Sequence, residues 1–245
     1  MICWQKSGGQ MNDLWQAMTT AVNLLVTLDT SLVEIVVRSL GVSLTAVLLA
    51  TVLGLPLGAV MALSRFPGRR VLLVITNALM GLPPVVVGLI VLLLLSRSGP
   101  LGALGLLFTP TAMIIAQTIL VLPIIAALST TVFEGLWQEY EEQMMSLGAG
   151  PRARIQALLW DGRFALMTAV LAGFGRANAE VGAVMIVGGN IDHVTRVMTT
   201  AIALEASRGD LALALGLGIV LLLLSLAINA ASYSVREFAR QRYQG

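Results

Sequence analysis

The sequence predicts an all-α, polytopic transmembrane helical bundle, and three observations carry that expectation. Of its 245 residues, 57% are hydrophobic and only 11% are charged, against roughly 25% charged in a soluble domain; mean hydropathy is +0.89. Five stretches reach the roughly 20 mainly apolar residues that cross a bilayer. Lysine and arginine are segregated between alternate connections, which is the pattern that orients membrane helices.

The elements follow in chain order. Residues 1–30 are expected to form an N-terminal extension with an interfacial amphipathic helix over 14–28. Its apolar residues recur at Leu14, Met18, Val22, Leu25 and Leu28 between Asp13 and Asp29. The first ten residues lack the apolar run of a cleavable signal peptide, and Met11 is a second candidate start. Residues 31–245 are expected to form one transmembrane domain with spans near 36–63, 71–96, 111–133, 164–188 and 211–235.

The first span carries small residues at Ala46, Ala50, Gly54, Gly58 and Ala62, a ladder that admits a close helix neighbour. Pro56, Pro83-Pro84 and Pro123 bend the first three spans. The fourth span holds Arg176 and Glu180 near its middle, where a charge costs roughly 2.5–3.5 kcal/mol on insertion scales. Four residues apart, they share a helix face and can pair. Gly175, Ala179 and Ala183 form a second small-residue ladder beside them. The pair reads equally as a packing device or as a polar element beside a translocation path.

Links 64–70 and 134–163 and the tail carry nine arginines, against three in links 97–110 and 189–210. That bias places the first set and the C-terminus in the cytoplasm and the N-terminus outside. Trp137, Tyr140, Trp160 and Tyr233 fall at the cytoplasmic edges. The long link 134–163 reads as a charged helix over 138–146, a break at Gly148-Ala149-Gly150-Pro151 and a second helix over 152–159. That is a docking shape, or a solvated amphipathic loop.

Several function classes are excluded. A net charge of +2 leaves no basic patch for nucleic acid. A single cysteine, Cys3, allows no intramolecular disulfide, and a single histidine, His193, allows no His/Cys zinc site. The one lysine, Lys6, follows Gln5 rather than a glycine, so no phosphate-cradling loop exists and any ATP is hydrolysed on another chain. His193 lies outside the spans and reads as a solvated loop residue, which argues against an intramembrane enzyme. No inverted repeat marks a secondary transporter.

The segment Glu142-Gln143-Met144-Met145-Ser146-Leu147-Gly148-Ala149 resembles the EAA loop, of pattern E-A-A-x-x-x-G-A, in permease subunits of binding-protein-dependent ABC importers. Glu142, Leu147, Gly148 and Ala149 agree with it. Gln143 and Met144 replace its alanines, and Trp160-Asp161 stands where many members have Leu-Pro. Gly81-Leu82-Pro83-Pro84-Val85-Val86-Val87-Gly88 resembles the second span of oxyanion permeases. The stretches 174–191 and 195–205 are similar to the tungstate-type branch, with Asn178 replacing an apolar residue.

The resemblance implies a type I ABC importer permease fold, of the molybdate- and methionine-permease kind. It implies a homodimer in the bacterial or archaeal cytoplasmic membrane, with two ATP-binding cassette subunits and an external oxyanion-binding protein. The chain itself would hold no cofactor, and ATP and Mg would be used by the ATPase subunits. Glu142, Leu147, Gly148, Ala149 and Arg152 would couple to the ATPase. Arg176, Glu180, Asn190, Thr195, Thr199 and Thr200 would lie along the pathway; the threonine hydroxyls can donate to an oxyanion, though capping and helix packing within 189–210 is the commoner use of such residues. Tungstate is the expected cargo, with molybdate, sulfate or another small solute as the alternative.

Overall fold

The computed structural model describes residues 15, 18, 19, 22 and 30–244, with the backbone alone for 235–244. The expected interfacial helix over 14–28 therefore lies largely outside the described residues. Helix α1 runs Thr30–Leu63, α2 Arg69–Leu79, α3 Pro84–Leu95, α4 Pro110–Ser146, α5 Pro151–Asp161, α6 Arg163–Asn178, α7 Gly182–Gly188, α8 Met198–Arg208 and α9 Leu211–Gln244. Among the described residues there is no strand.

Among the described residues three helices, α1, α4 and α9, are long and apolar enough to cross a membrane, and up to five crossings result if two bent helix pairs each count as one. The expected second span is one of those pairs, with α2 and α3 meeting at 101°. Its cause is Gly81-Leu82-Pro83-Pro84. Pro83 is extended (φ −66°, ψ 120°) and caps α3, and the residue before a proline is pushed out of the helical region. Helix α4 continues well past residue 133, because nothing between Phe133 and Ser146 breaks it and Pro123 is absorbed inside it. The expected separate helix over 138–146 is its last turns. The expected fourth span is interrupted after Asn178 and resumes at Gly182, although no proline lies there.

The most extensive contact is α1 on α4, and the first small-residue ladder makes it. Ala46, Ala50, Gly54 and Gly58 are buried along it. A Cβ at Gly58 would stand 2.1 Å from Ser129 Oγ and 3.0 Å from Ala126 O, so any side chain there would turn Ser129 away and crowd the seam. Helix α6 packs on the same seam, with Phe174 and Ala177 buried against Val47, Val121 and Ile125. A second core joins α3, α4 and α7 through Val87, Val91, Met113, Ala116, Val184 and Val187. Helix α8 packs between α1 and α9 on Leu32, Met198, Ala201 and Leu217.

Candidate functional site: a coupling corner and a broken span

At one end of the bundle α4 stops and the chain turns into α5. Gly148 takes φ +63°, its N–H donates to Met145 O and the Ala149 N–H donates to Met144 O, both at 3.0 Å. This is a Schellman ending, which satisfies carbonyls that the helix terminus leaves open. Arg154 Nε donates back to Ala149 O at 2.7 Å, and its guanidinium lies 5.4 Å from the Trp137 ring. The corner is thus rigid, yet its outer surface is bare. Glu142, Gly148 and Arg152 are exposed, and Leu147 is 82% exposed. An apolar side chain so placed on a fixed corner suits a partner protein. Behind it, Phe133, Leu158 and Leu166 form a small core that ties α4, α5 and α6 together. Arg69 pairs with Glu134 on α4, a contact that the sequence did not signal.

The second region is the interruption between α6 and α7. Arg176 Nη2 and Glu180 Oε2 are 3.6 Å apart, with side chains 32% and 2% exposed. They do not share one continuous helix, since α6 ends at Asn178. Glu180 has further partners that spacing could not show. Its Oε1 accepts the Ala183 N–H at 3.0 Å, and its carbonyl accepts from Thr199 Oγ1 at 2.8 Å. Gln117 Nε2 donates to Ala177 O at 3.1 Å, and Asn178 Nδ2 donates to Ser225 Oγ at 2.6 Å. Gln117 and Ser225 were missed because a single polar residue in an apolar run carries no periodic signal. The second small-residue ladder is divided: Gly175 and Ala179 are exposed, while Ala183 is buried against Gly88 of α3.

Beyond α7 the chain turns through Gly189 (φ +70°) and Asn190 (φ +49°). Asn190 Oδ1 is buried without a partner. Thr195 Oγ1 donates to Gly188 O at 2.6 Å and accepts the Ile191 N–H at 2.9 Å, so it closes the turn. Thr200 Oγ1 accepts the Val197 N–H at 3.1 Å and caps α8. The hydroxyls of Thr195, Thr199 and Thr200 are therefore all bonded to backbone. His193 is exposed in the loop, as expected, and is also held there: its Nδ1 lies 2.8 Å from Glu34 Oε2, and Arg38 donates to its carbonyl at 2.7 Å. Glu34 and Asp192 raise the His193 pKa above the ordinary value, chiefly through the Glu34 hydrogen bond. Glu34, Arg38, Asp192, His193 and Arg196 line a cavity of about 380 Å³ between this loop, α1, α8 and α9.

Comparison with known proteins fits this architecture. Residues 54–244 match the family model described as "Binding-protein-dependent transport system inner membrane component". The chain is 43% identical to the tungstate uptake system permease protein TupB of Peptoclostridium acidaminophilum, over 93% of this chain and 100% of that one. It is 42% identical to a probable anion ABC transporter permease protein of Haloferax volcanii, over 85% and 92% of the two chains. It is 36% identical to the TupB of Campylobacter jejuni, over 78% and 80%.

Proposed function

The chain belongs to the binding-protein-dependent transport system inner membrane components, and from that premise we propose that it is the membrane permease subunit of an ABC importer that carries tungstate. The observation that carries the reading is the 43% identity to a tungstate uptake permease along that protein's whole length. It covers the coupling corner and the broken span alike. The chain is a transport subunit, and ATP and Mg belong to separate cassette subunits. A second reading, import of another oxyanion such as molybdate or sulfate by the same architecture, draws support from the Haloferax relative, whose name specifies only an anion.

In this mechanism an external binding protein delivers the anion, and two ATPase subunits dock on the coupling corners of two copies. Glu142, Leu147, Gly148, Ala149 and Arg152 supply the docking surface. Closure of the ATPases around ATP displaces α5, and α6 follows, because Gly162 alone separates the two helices. Access to the central space then alternates between its two sides. The corner faces the cytoplasm and the 189–197 loop faces outward, in accord with the arginine bias.

A two-fold pair of copies is the commonest closed assembly and sets two corners side by side. Helix α6 offers a face to its counterpart: Ala165, Thr168, Ala172, Gly175 and Ala179 are exposed at alternating three- and four-residue spacing. Arg176 and Glu180 at its end, and Asn190 beyond, stand beside the pathway, while Thr195, Thr199 and Thr200 shape the segment that holds them. Arg176 favours a dianion, and Glu180 moderates that charge so that the anion is released.

The test is ATP hydrolysis by the reconstituted complex of permease, ATPase and binding protein. Stimulation by tungstate-loaded binding protein, with none by unloaded binding protein, supports the reading. Hydrolysis indifferent to both contradicts it.

A further inference from the structure

We infer that the break between α6 and α7 is a two-state hinge of the transport cycle, held in its broken form by Gln117 and Thr199 as positioning residues. The inference deepens the importer reading above and rests on it.

The local sequence permits a break without dictating one: Ala177, Ala179 and Glu180 are strong helix formers and no proline follows, while Asn178, Val181 and Gly182 are weak ones. In an unbroken helix the Ala177 carbonyl would accept from the Val181 N–H and the Glu180 carbonyl from the Val184 N–H, each four residues on. Both carbonyls have other partners instead. Ala177 O accepts from Gln117 Nε2 at 3.1 Å and from the Glu180 N–H at 3.2 Å. Glu180 O accepts from Thr199 Oγ1 at 2.8 Å.

Side chains from α4 and α8 thus hold these carbonyls in the broken form, where the Val181 and Val184 N–H groups do not reach them. Both donors are buried, where an unmade hydrogen bond is costly. The broken and tied arrangement is the one seen; the second state of the hinge is a continuous helix in which the Val181 and Val184 N–H groups reach these carbonyls and the two side chains let go. Gln117 Oε1 is already buried without a partner, so releasing this amide forfeits one hydrogen bond rather than two.

The position of the break gives it a use. Displacement of the coupling corner reaches it along α6. On its far side α7 leads into the 189–197 loop, which His193 ties to α1. Straightening the break moves the outer loop relative to α6, and this links the two ends of the subunit.

The experiment uses the assembled complex in lipid, with Cys3 replaced and spin labels at Ala172 and Ile191, both exposed. The label separation is measured with and without ATP. It is measured again in Gln117→Leu/Thr199→Val, which removes both donors at similar volume. Each tie biases the equilibrium about fivefold, the equivalent of about 1 kcal/mol for a net hydrogen bond.

The expected result is an ATP-driven change of separation in the unmodified complex. The double variant shifts toward the ATP-state separation without nucleotide, with more ATP hydrolysed per anion moved. Thr199→Ser, which keeps the hydroxyl, restores both. A separation that ATP and the substitutions leave unchanged overturns the hinge, as does an unchanged ratio of anion to ATP. If the double variant does not assemble, Thr199→Val alone carries the same readouts. Absence of tungstate uptake by the unmodified complex overturns the importer reading instead, and the label separation still decides the hinge.

Discussion

Arg176 and Glu180 pair at 3.6 Å across the end of a helix rather than along one, and the buried member, Glu180, also caps the next helix through the Ala183 N–H at 3.0 Å. The two residues are therefore unequal. Removing one partner of a buried pair costs roughly 3–5 kcal/mol when the charge left behind is buried; Arg176→Ala strands the buried Glu180 carboxylate, whereas Glu180→Ala leaves a partly exposed Arg176 and forfeits the Ala183 cap. Arg176→Ala should lower the thermal midpoint in detergent more than Glu180→Ala. The double variant should lose less than the sum of the two. Equal and additive losses would show that the pair is not coupled.

Gly148 occupies the left-handed region with open space around it. A side chain there meets no clash but suffers backbone strain of roughly 1–2 kcal/mol. Gly148→Val should therefore weaken association with the ATPase while membrane insertion stays normal, and Gly148→Asn should be milder because asparagine tolerates this conformation. Charge reversal at the exposed Glu142 should weaken association without altering stability. Co-purification yield and transport-linked hydrolysis measure both effects.

Gly58 has the opposite problem. A Cβ there would lie 2.1 Å from Ser129 Oγ and 3.0 Å from Ala126 O. Gly58→Ala should force α1 and α4 apart, at the roughly 1–3 kcal/mol typical of overpacking. Gly175→Ala, with nothing within 4 Å, should leave monomer stability unchanged. A thermal midpoint equal to the unmodified protein's in Gly58→Ala would contradict the seam.

The His193–Glu34 contact makes the outer loop sensitive to pH. Because the pair raises the His193 pKa, its contribution is fully present below the ordinary value of about 6.5 and is lost as pH rises through the raised value. Amide exchange over residues 189–197, corrected for intrinsic rate, should be slower at about pH 6 than at about pH 9. His193→Gln should remove that difference. A pH-independent loop in the unmodified protein would contradict the tie.

Much of this was legible in the sequence, and the misses share a cause. The Gly148 corner, Pro83-Pro84 and the first small-residue ladder were visible because each rests on a local constraint: a left-handed turn, a missing N–H or a missing side chain. Spacing alone brought Arg176 and Glu180 together. The break between them falls at the weak helix formers Asn178, Val181 and Gly182, and its carbonyls are tied by Gln117 and Thr199, 60 and 19 residues away from their acceptors. His193 is solvated as read, but its tie to Glu34 was invisible because that partner is 159 residues distant. Tertiary hydrogen bonds of this kind leave no local trace. The ladder in the first span showed close approach, but not that the approaching helix is α4 of the same chain.

Cysteines placed singly at Thr168, Ala172, Gly175 and Ala179, with Cys3 replaced, should cross-link between two copies on this one face of α6. The buried positions Ala169 and Gly173 should not. Cross-links confined to another helix, in complexes that still transport, would move the interface there.

The central claim is tested most directly by uptake of labelled tungstate into vesicles that contain the permease, its ATPase and its binding protein. ATP-dependent accumulation is the result expected. Excess unlabelled tungstate should abolish it, and molybdate or sulfate should compete more weakly. Accumulation of molybdate or sulfate in preference to tungstate, or tungstate entry indifferent to ATP, would contradict the account.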